Sequence, residues 1–173
     1  MKLVQWVQFS WDLTKLPPLD CELPEHYEIA PASREDETEL RKVISHSIVL
    51  DATWNPAMQE VMQTINAWLD EAFASPTSIF LALRHGLRII GASILLPDPS
   101  RQNHLAPGPC VLVEYRNRGF GTRLLEHSLQ ALREAGVAEA VAASKEKTPG
   151  AKFLYPKFNG ILKRGDHTPL LAA

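Results

Sequence analysis

A short run of glycines and arginines is the part of the sequence best suited to chemistry. From Val111 to Thr122 the chain reads Val-Leu-Val-Glu-Tyr-Arg-Asn-Arg-Gly-Phe-Gly-Thr, between a short apolar segment and an amphipathic one. Gly119 and Gly121 let backbone amides turn inward with no Cβ in the way. The first turn of a helix also presents N–H groups without intrahelical partners and the positive end of its dipole. The pattern predicts a site for a compact anion such as a diphosphate.

Nearby charges favour the anion site over a turn that needs glycine only for its shape. Arg116, Arg118 and Arg123 add positive charge to a chain whose formal net charge is −2. A Walker loop is excluded because Gly-Lys-Ser/Thr is absent, and Leu124 stands where a dinucleotide fingerprint needs a third glycine or an alanine. The sequence therefore predicts an anion site that is neither a Walker loop nor a dinucleotide fingerprint.

Three segments together resemble one known family. Residues 116–121, Arg-Asn-Arg-Gly-Phe-Gly, match the Q/R-x-x-G-x-G/A signature of the GCN5-related N-acetyltransferases, and 111–115 resemble the strand before it. Residues 151–160, Ala-Lys-Phe-Leu-Tyr-Pro-Lys-Phe-Asn-Gly, resemble the second motif of that family. Residues 23–36 resemble the opening strand and helix of many bacterial members. The resemblance extends from about residue 23 to residue 173.

The resemblance implies a fold and an activity. The fold would be an α/β (α+β) domain with a mixed, centrally splayed β-sheet and helices on both faces. The activity would be transfer of an acetyl group from acetyl-CoA, as co-substrate, to a primary amine of an unidentified small-molecule or peptide acceptor. A non-catalytic module that binds or senses acyl-CoA is the alternative, and a nucleotide-phosphate binder is a third hypothesis.

The resemblance also implies which residues hold the cofactor. Backbone groups of a strand edge would bond the extended pantetheine arm and the acyl carbonyl, as an unpaired edge can. Backbone amides of the glycine turn would hold the pyrophosphate. Thr148 stands where a cofactor-contacting Asn is common, and it also predicts a helix cap. The expected cofactor residues are Val111, Leu112, Val113, Arg116, Asn117, Arg118, Gly119, Phe120, Gly121, Thr122 and Thr148.

Two residues are the catalytic candidates. Tyr155 would protonate the departing thiolate, since a phenol is protonated at neutral pH. Pro156 should displace this tyrosine or end the helix beside it, and a core aromatic is the alternative role for Tyr155. His104 has the ordinary pKa of a general base. The other groups considered for that role are Asp51, Asp98 and Glu114.

Hydrophobic spacing predicts the elements that must position these residues. Trp54 and Trp68, near the first two helices, are expected either at the acceptor side of the site or in the core. Asn55 and Pro56 predict the start of the second helix. Strands are predicted over 3–11, 27–31, 78–84, 87–96, 110–113, 137–143, 160–164 and 168–171, and helices over 34–48, from 55, over 119–135 and from 148.

Bulk composition bounds the function classes. With 173 residues, 45% hydrophobic and 22% charged, the chain fits a single domain. A pI of about 6.3 gives no bulk case for nucleic acid or an anionic membrane as partner. Cys21 and Cys110 are far apart and no His/Cys/Asp/Glu grouping has metal spacing, so we predict no metal.

The termini and domain boundaries give further expectations. The first 16 residues lack the pattern of a signal peptide, and no apolar run is long enough to span a membrane, which predicts a cytoplasmic protein. Residues 1–22 form an N-terminal extension, either an extra strand or a homodimer contact. Residues 23–173 form the acyl-CoA-binding domain.

Overall fold

A computed structural model describes residues 6–19, 22–51, 54–55, 57–145 and 148–163. Along these ranges two strands are followed by two helices, three strands, one helix and two strands, with short 3-10 turns between some of them. The elements are β1 (Trp6–Asp12), β2 (Tyr27–Pro31), α1 (Glu37–Val49), α2 (Met58–Ala74), β3 (Ile79–His85), β4 (Arg88–Leu95), β5 (Cys110–Val111), α3 (Phe120–Glu134), β6 (Glu139–Lys145) and β7 (Ile161–Lys163). None of the helices in these ranges is long and apolar enough to cross a membrane.

The strands divide into two sheets, and the predicted α/β class is confirmed. One sheet has the order β2-β3-β4-β5 and the other the order β6-β1-β7. Every strand pair in the described ranges is antiparallel. The division falls between β5 and β6, which belong to different sheets although they follow one another along the chain. This is where a centrally splayed sheet opens.

The N-terminal strand β1 is an integral part of the second sheet. Ser10 pairs with Val141 of β6 on one side and with Ile161 of β7 on the other. Phe9 and Trp11 are almost completely buried, so the segment set apart by the sequence packs into the core. The predicted final strand over 168–171 lies outside the described residues.

The helices bury the faces that the sequence predicts. α1 buries Leu40, Val43 and Ile44, and Ser33 with Asp36 forms the predicted capping box before it. α2 begins at Met58 rather than at 55–56, where Pro56 lies outside the described residues. Its buried stripe consists of Val61, Thr64, Ile65, Trp68, Leu69 and Ala72. Both helices pack with α3 around the β3–β4 hairpin, whose apolar strands form the centre of the core.

Candidate functional site

A cavity of about 360 Å³ opens where the two sheets separate. β5 supplies one wall and β6 the opposite one, through Ala143 and Ser144. The first turn of α3 lies at the cavity with the segment 148–157, while α1, α2, β1 and the loop before β5 supply the remaining walls. The splay therefore brings together the strand edge, the glycine turn and the tyrosine motif that the sequence singles out.

The glycine turn has the backbone geometry of an anion site. Asn117 and Gly119 adopt left-handed φ values of 62° and 82°, and Gly119 is the N-cap of α3. The first hydrogen bond of the helix runs from the Arg123 N–H to the Gly119 carbonyl, at 3.1 Å. The N–H groups of the intervening first turn have no intrahelical acceptor, and Gly121 and Thr122 line the cavity. A compact anion fits at this turn.

The arginine side chains do not supply the charge that the sequence leads us to expect there. Arg118 packs over the Tyr115 ring and donates to the Glu114 carbonyl, and Arg123 pairs with Glu126. Neither Arg118 nor Arg123 lines the cavity. The expectation that they surround the anion with positive charge is therefore wrong, and backbone amides with the helix dipole remain as the binding groups.

Arg116 lines the cavity, but its guanidinium is already committed to protein groups. Its Nη1 lies 2.6 Å from Asp51 Oδ2, its Nη2 donates to the Ser47 carbonyl at 2.7 Å, and its Nε donates to the Val111 carbonyl at 3.0 Å. These partners lie at the end of α1 and in β5. Arg116 thus ties the first helix to the strand edge instead of facing an anion.

One residue of the predicted strand edge faces the cavity. The Leu112 N–H donates to the Ile90 carbonyl of β4 at 2.9 Å, and Val111 is registered opposite Gly91. Because neighbouring residues of an antiparallel strand alternate in direction, the N–H and carbonyl of Val111 point away from β4. The carbonyl accepts from Arg116 Nε, so the N–H is the backbone group of Val111 that this edge offers to the cavity. Leu112 is buried, and Val113 begins a 3-10 turn with its side chain turned outward; neither lines the cavity.

Tyr155 lines the cavity and is otherwise enclosed. It is 8% exposed, its ring lies 5.4 Å from that of Phe9 and 5.6 Å from that of Trp11, and its hydroxyl donates to the Gly108 carbonyl. Burial raises the pKa of this phenol well above its ordinary value. The group is therefore protonated at physiological pH, with its proton directed at a backbone acceptor of the cavity wall.

Pro156 ends the helix beside this tyrosine, one of its two predicted effects. A wide turn closes with the Tyr155 N–H donating to the Gly150 carbonyl at 2.9 Å, and Gly150–Leu154 is the last helical stretch before the proline. The chain then turns sharply at Gly160, where an added Cβ would lie 1.9 Å from the Tyr155 carbonyl oxygen. Trp11 Nε1 donates to the carbonyl of Lys157 at 3.0 Å and fixes the turn on β1.

Thr148 keeps the capping role expected of it and also reaches the cavity. Its hydroxyl donates to the Lys145 carbonyl at 2.9 Å and accepts from the Ala151 N–H at 3.3 Å. The residue is 5% exposed and lines the cavity. Its hydroxyl therefore has two protein partners, and a contact with a cofactor would have to add to them.

His104 is not placed as a general base. It is 1% exposed and does not line the cavity. Its Nδ1 accepts from the Val141 N–H at 3.0 Å and its Nε2 lies 2.8 Å from the Asp98 carbonyl, so both ring nitrogens are used. Burial lowers the pKa of the imidazole. The expectation of a catalytic His104 is corrected here to a bridge between its loop and β6.

The other candidates for the general base differ in whether they line the cavity. Asp98 and Glu114 do not line the cavity, and Asp98 accepts two hydrogen bonds from Ser100. Asp51 does line it, with its side chain 15% exposed and paired with Arg116. No predicted base therefore combines access to the cavity with an uncommitted proton acceptor.

Sequence reasoning missed Cys110 and Lys157 as cavity residues. Cys110 directly precedes the predicted strand edge, so its position beside Val111 could have indicated it. Burial raises the pKa of its thiol to about 11, although a Ser47 hydrogen bond and the Arg116 charge act in the opposite direction. Lys157 reaches the cavity only because of the turn after Pro156, for which the sequence carries no signal.

Residues 27–161 match the model of the acetyltransferase (GNAT) family. The chain belongs to the GNAT acetyltransferase family. The match covers the glycine turn, the β5 edge and the tyrosine motif, so all three parts of the cavity described above fall inside it. A search of curated proteins gives no match.

Solved structures show that the chain shares the fold of this family. It is similar to a GCN5-related N-acetyltransferase from Sphaerobacter thermophilus (TM-score 0.66, 16% identity, 94% of this chain and 50% of that one). It is also similar to a GNAT-family acetyltransferase from Novosphingobium aromaticivorans (TM-score 0.59, 15% identity, 95% and 62%). A structure from Ralstonia eutropha has 20% identity and a TM-score of 0.50 over 69% of this chain and 84% of that one. The chain thus spans 50% and 62% of the first two structures.

The residues at the cavity fit acetyl-CoA, the co-substrate of GNAT acetyltransferases. A Cβ added at Gly121 would meet the Leu154 side chain at 3.7 Å, so the glycine leaves space between the first turn of α3 and the tyrosine motif. The left-handed Gly119 turns the amides toward that space. A diphosphate at this turn and an extended amide chain along Val111 would lie in one continuous cavity.

Proposed function

We propose that the chain is an N-acetyltransferase that transfers the acetyl group of acetyl-CoA to a primary amine of a small molecule or peptide. One observation carries the proposal: the amides of the glycine turn, the Val111 edge and the Tyr155 hydroxyl all meet in the cavity between β5 and β6. Each fits a different part of the co-substrate. The turn suits the pyrophosphate, the Val111 N–H suits the acyl carbonyl, and the Tyr155 hydroxyl is assigned to the sulfur.

The reaction requires little from the protein beyond position and hydrogen bonds. The amine nitrogen forms a bond to the thioester carbonyl carbon, the C–S bond breaks, and the electron pair leaves with sulfur. The Val111 N–H would donate to the carbonyl oxygen, where negative charge grows during attack. The proton lost by the amine is assigned to water, because Asp51, the acidic side chain among the described cavity residues, is held by Arg116.

Tyr155 is the group assigned to the leaving sulfur. Its phenol is fully protonated at neutral pH, since burial raises its pKa. A hydroxyl hydrogen can rotate about the C–O bond, so the proton that now points at the Gly108 carbonyl could be offered to a nearby thiolate instead. The phenol would stabilise the thiolate by a hydrogen bond and pass it a proton as the C–S bond breaks. The phenolate would regain a proton from the water that took up the proton of the amine.

A non-catalytic acyl-CoA module is the second candidate. The observation that favours it is the hydrogen bond from the Tyr155 hydroxyl to the Gly108 carbonyl. A phenol whose proton is held there and whose pKa is raised by burial is a weak acid. In that case the cavity would bind the cofactor and the tyrosine would only hold the cavity wall.

A thiol-release assay separates the two candidates. Purified chain with acetyl-CoA should release coenzyme A thiol in proportion to added amine, and the acylated amine should appear in equal amount by mass spectrometry. Measuring coenzyme A affinity by calorimetry in the same buffer provides the control. Tight binding with no amine-dependent thiol release, across small amines and peptides, would reject the enzyme and leave the binding module.

A further inference from the structure

The cavity has an apolar wall that the cofactor contacts do not use. We call it the tryptophan wall. It consists of Trp6, Ile48, Trp54, Ile65 and Trp68, all of which line the cavity. They come from β1, the end of α1, the stretch between the helices, and α2. The rings of Trp6 and Trp68 lie 5.5 Å apart at 59°, so the two mostly buried indoles pack against each other where they border the cavity.

The position of the wall assigns it to the acceptor rather than to the cofactor. The groups that fit coenzyme A lie on β5, at the start of α3 and in the segment 148–155, whereas the tryptophan wall belongs to β1, α1 and α2. The two sets share the cavity but no element. The wall is therefore the side of the cavity that the strand edge and the glycine turn leave to the second substrate.

The charges beside the wall are unfavourable for a molecule with several positive groups. Asp51 is paired with Arg116 at 2.6 Å. Lys157 also lines the cavity, and the Lys145 ammonium lies 5.5 Å from the Trp54 ring centre. Among the described residues that line the cavity Asp51 is the acidic one, and Arg116 already pairs with it, so the further cations of a polyamine would gain no additional carboxylate partner there.

We infer that the acceptor is a primary amine with a single amino group and an aromatic or branched apolar body, which packs on the tryptophan wall. This inference rests on the proposed function and specifies its second substrate. Only the nitrogen of the amine takes part in the attack, beside Val111. The apolar body of the amine leaves water and packs against the indole and isoleucine side chains. Apolar burial and ring contacts supply the affinity.

The test compares matched amines on the full chain. With acetyl-CoA saturating, kcat/KM should be at least about tenfold higher for 2-phenylethylamine and tryptamine than for putrescine, spermidine or a lysine-containing peptide.

Trp54, which is half-buried, gives the variant that perturbs the core least. Trp54→Ala should raise KM for 2-phenylethylamine about tenfold, Trp54→Phe should restore most of it, and coenzyme A affinity should change less than about threefold. Leu87→Ala, at a 99% exposed position, is the matched control and should change nothing.

Direct binding keeps this inference separate from the proposed function. Calorimetric titration of each amine into the chain saturated with coenzyme A should give the same order of affinities. Binding of aromatic amines without turnover would reject the enzyme but support the inference. A preference for polyamines or basic peptides, or no binding of any amine, would overturn the inference. It would also be overturned if Trp54→Ala altered the choice between acetyl-CoA and longer acyl-CoAs instead of the choice of amine, since the wall would then hold the acyl chain.

Discussion

At the scale of single residues, the Tyr155 hydroxyl is the group on which the proposed catalysis depends. Its ring is fixed by Phe9 and Trp11, and its proton is directed at the Gly108 carbonyl. The ring contacts therefore hold the oxygen at the cavity whether or not the hydroxyl takes part in the reaction. Removing only the oxygen separates the chemical role from the packing role.

Tyr155→Phe should lower kcat about 100-fold while the Kd for coenzyme A changes less than about threefold. The ring and its contacts remain, but no proton can be offered to the sulfur. Loss of the hydrogen bond to Gly108 should also reduce the free energy of unfolding by about 1–3 kcal/mol. Steady-state thiol release, calorimetry and urea unfolding measure these effects. Tyr115→Phe, at another cavity tyrosine, is the control, and an unchanged kcat in Tyr155→Phe would make Tyr155 structural.

At the scale of elements, Arg116 connects the end of α1 with β5 beside the cavity. It joins Asp51 and the Ser47 carbonyl to the Val111 carbonyl. Arg116→Ala would remove the guanidinium that pairs with the largely buried Asp51, and it should lower the free energy of unfolding by about 1–3 kcal/mol. Arg118→Ala, in the same turn but exposed, should change it by less than about 0.5 kcal/mol. Equal losses in urea unfolding of the two variants would contradict the bridging role.

His104 joins its loop to β6, and this bridge should respond to acid. Burial holds the imidazole pKa below its ordinary value, so the unfolded chain takes up a proton before the folded chain does. The stabilisation is complete above about pH 6.5 and is lost as pH falls through the folded pKa, with a slope of up to about 1.4 kcal/mol per pH unit. Urea unfolding between pH 7 and 5 should show a shallower slope in His104→Gln than in the native chain. Parallel slopes would show that His104 does not titrate on unfolding.

The elements also show what the sequence could and could not predict. Local periodicity and capping predict the strand over 27–31 and the buried face of α1. The position of Gly119 and Gly121 between a strand and a helix predicts the glycine turn. Two partners of Arg116, Asp51 and Ser47, lie 65 and 69 residues away from it along the chain. Such pairings depend on how the sheets assemble, and no local pattern encodes them. The same reason explains why His104 was expected at the site but lies in a structural bridge.

At the scale of the whole molecule, the cavity between the two sheets is lined by two buried groups, Cys110 and Tyr155, that are protonated at neutral pH. Burial raises the pKa of Cys110 to about 11 and that of Tyr155 above its ordinary value. Both groups ionise more readily in the unfolded chain, so they favour the folded state below about pH 9. This contribution is lost as pH rises through the folded values.

The free energy of unfolding should therefore be level between about pH 7 and pH 9 and decline above pH 9, by up to about 1.4 kcal/mol per pH unit for each group. Urea unfolding between pH 7 and 11 measures the decline. Cys110→Ser should reduce the slope between pH 9 and 11, because it removes one of the two titrating groups. A slope in Cys110→Ser equal to that of the native chain would show that this thiol is already ionised, or accessible, in the folded state.

The glycine turn links these scales, because one side chain there can close the site without weakening the fold. Gly121 is the second residue of α3, and an added Cβ meets only Leu154 at 3.7 Å or more. Glu is favourable in the first turn of a helix, and Ala has a higher helix propensity than Gly. Gly121→Glu and Gly121→Ala should both fold with at least native stability, so any loss of binding reports on the site.

Calorimetric titration of coenzyme A into the native chain, Gly121→Ala and Gly121→Glu is the most direct test of the account. The native chain should bind coenzyme A and not ATP. Gly121→Ala should retain binding to within about tenfold, and Gly121→Glu should lose it at least about 100-fold, because its carboxylate would occupy and repel the pyrophosphate position. Unchanged affinity in Gly121→Glu, or equal affinity of the native chain for ATP, would contradict the assignment of the glycine turn as the coenzyme A pyrophosphate site.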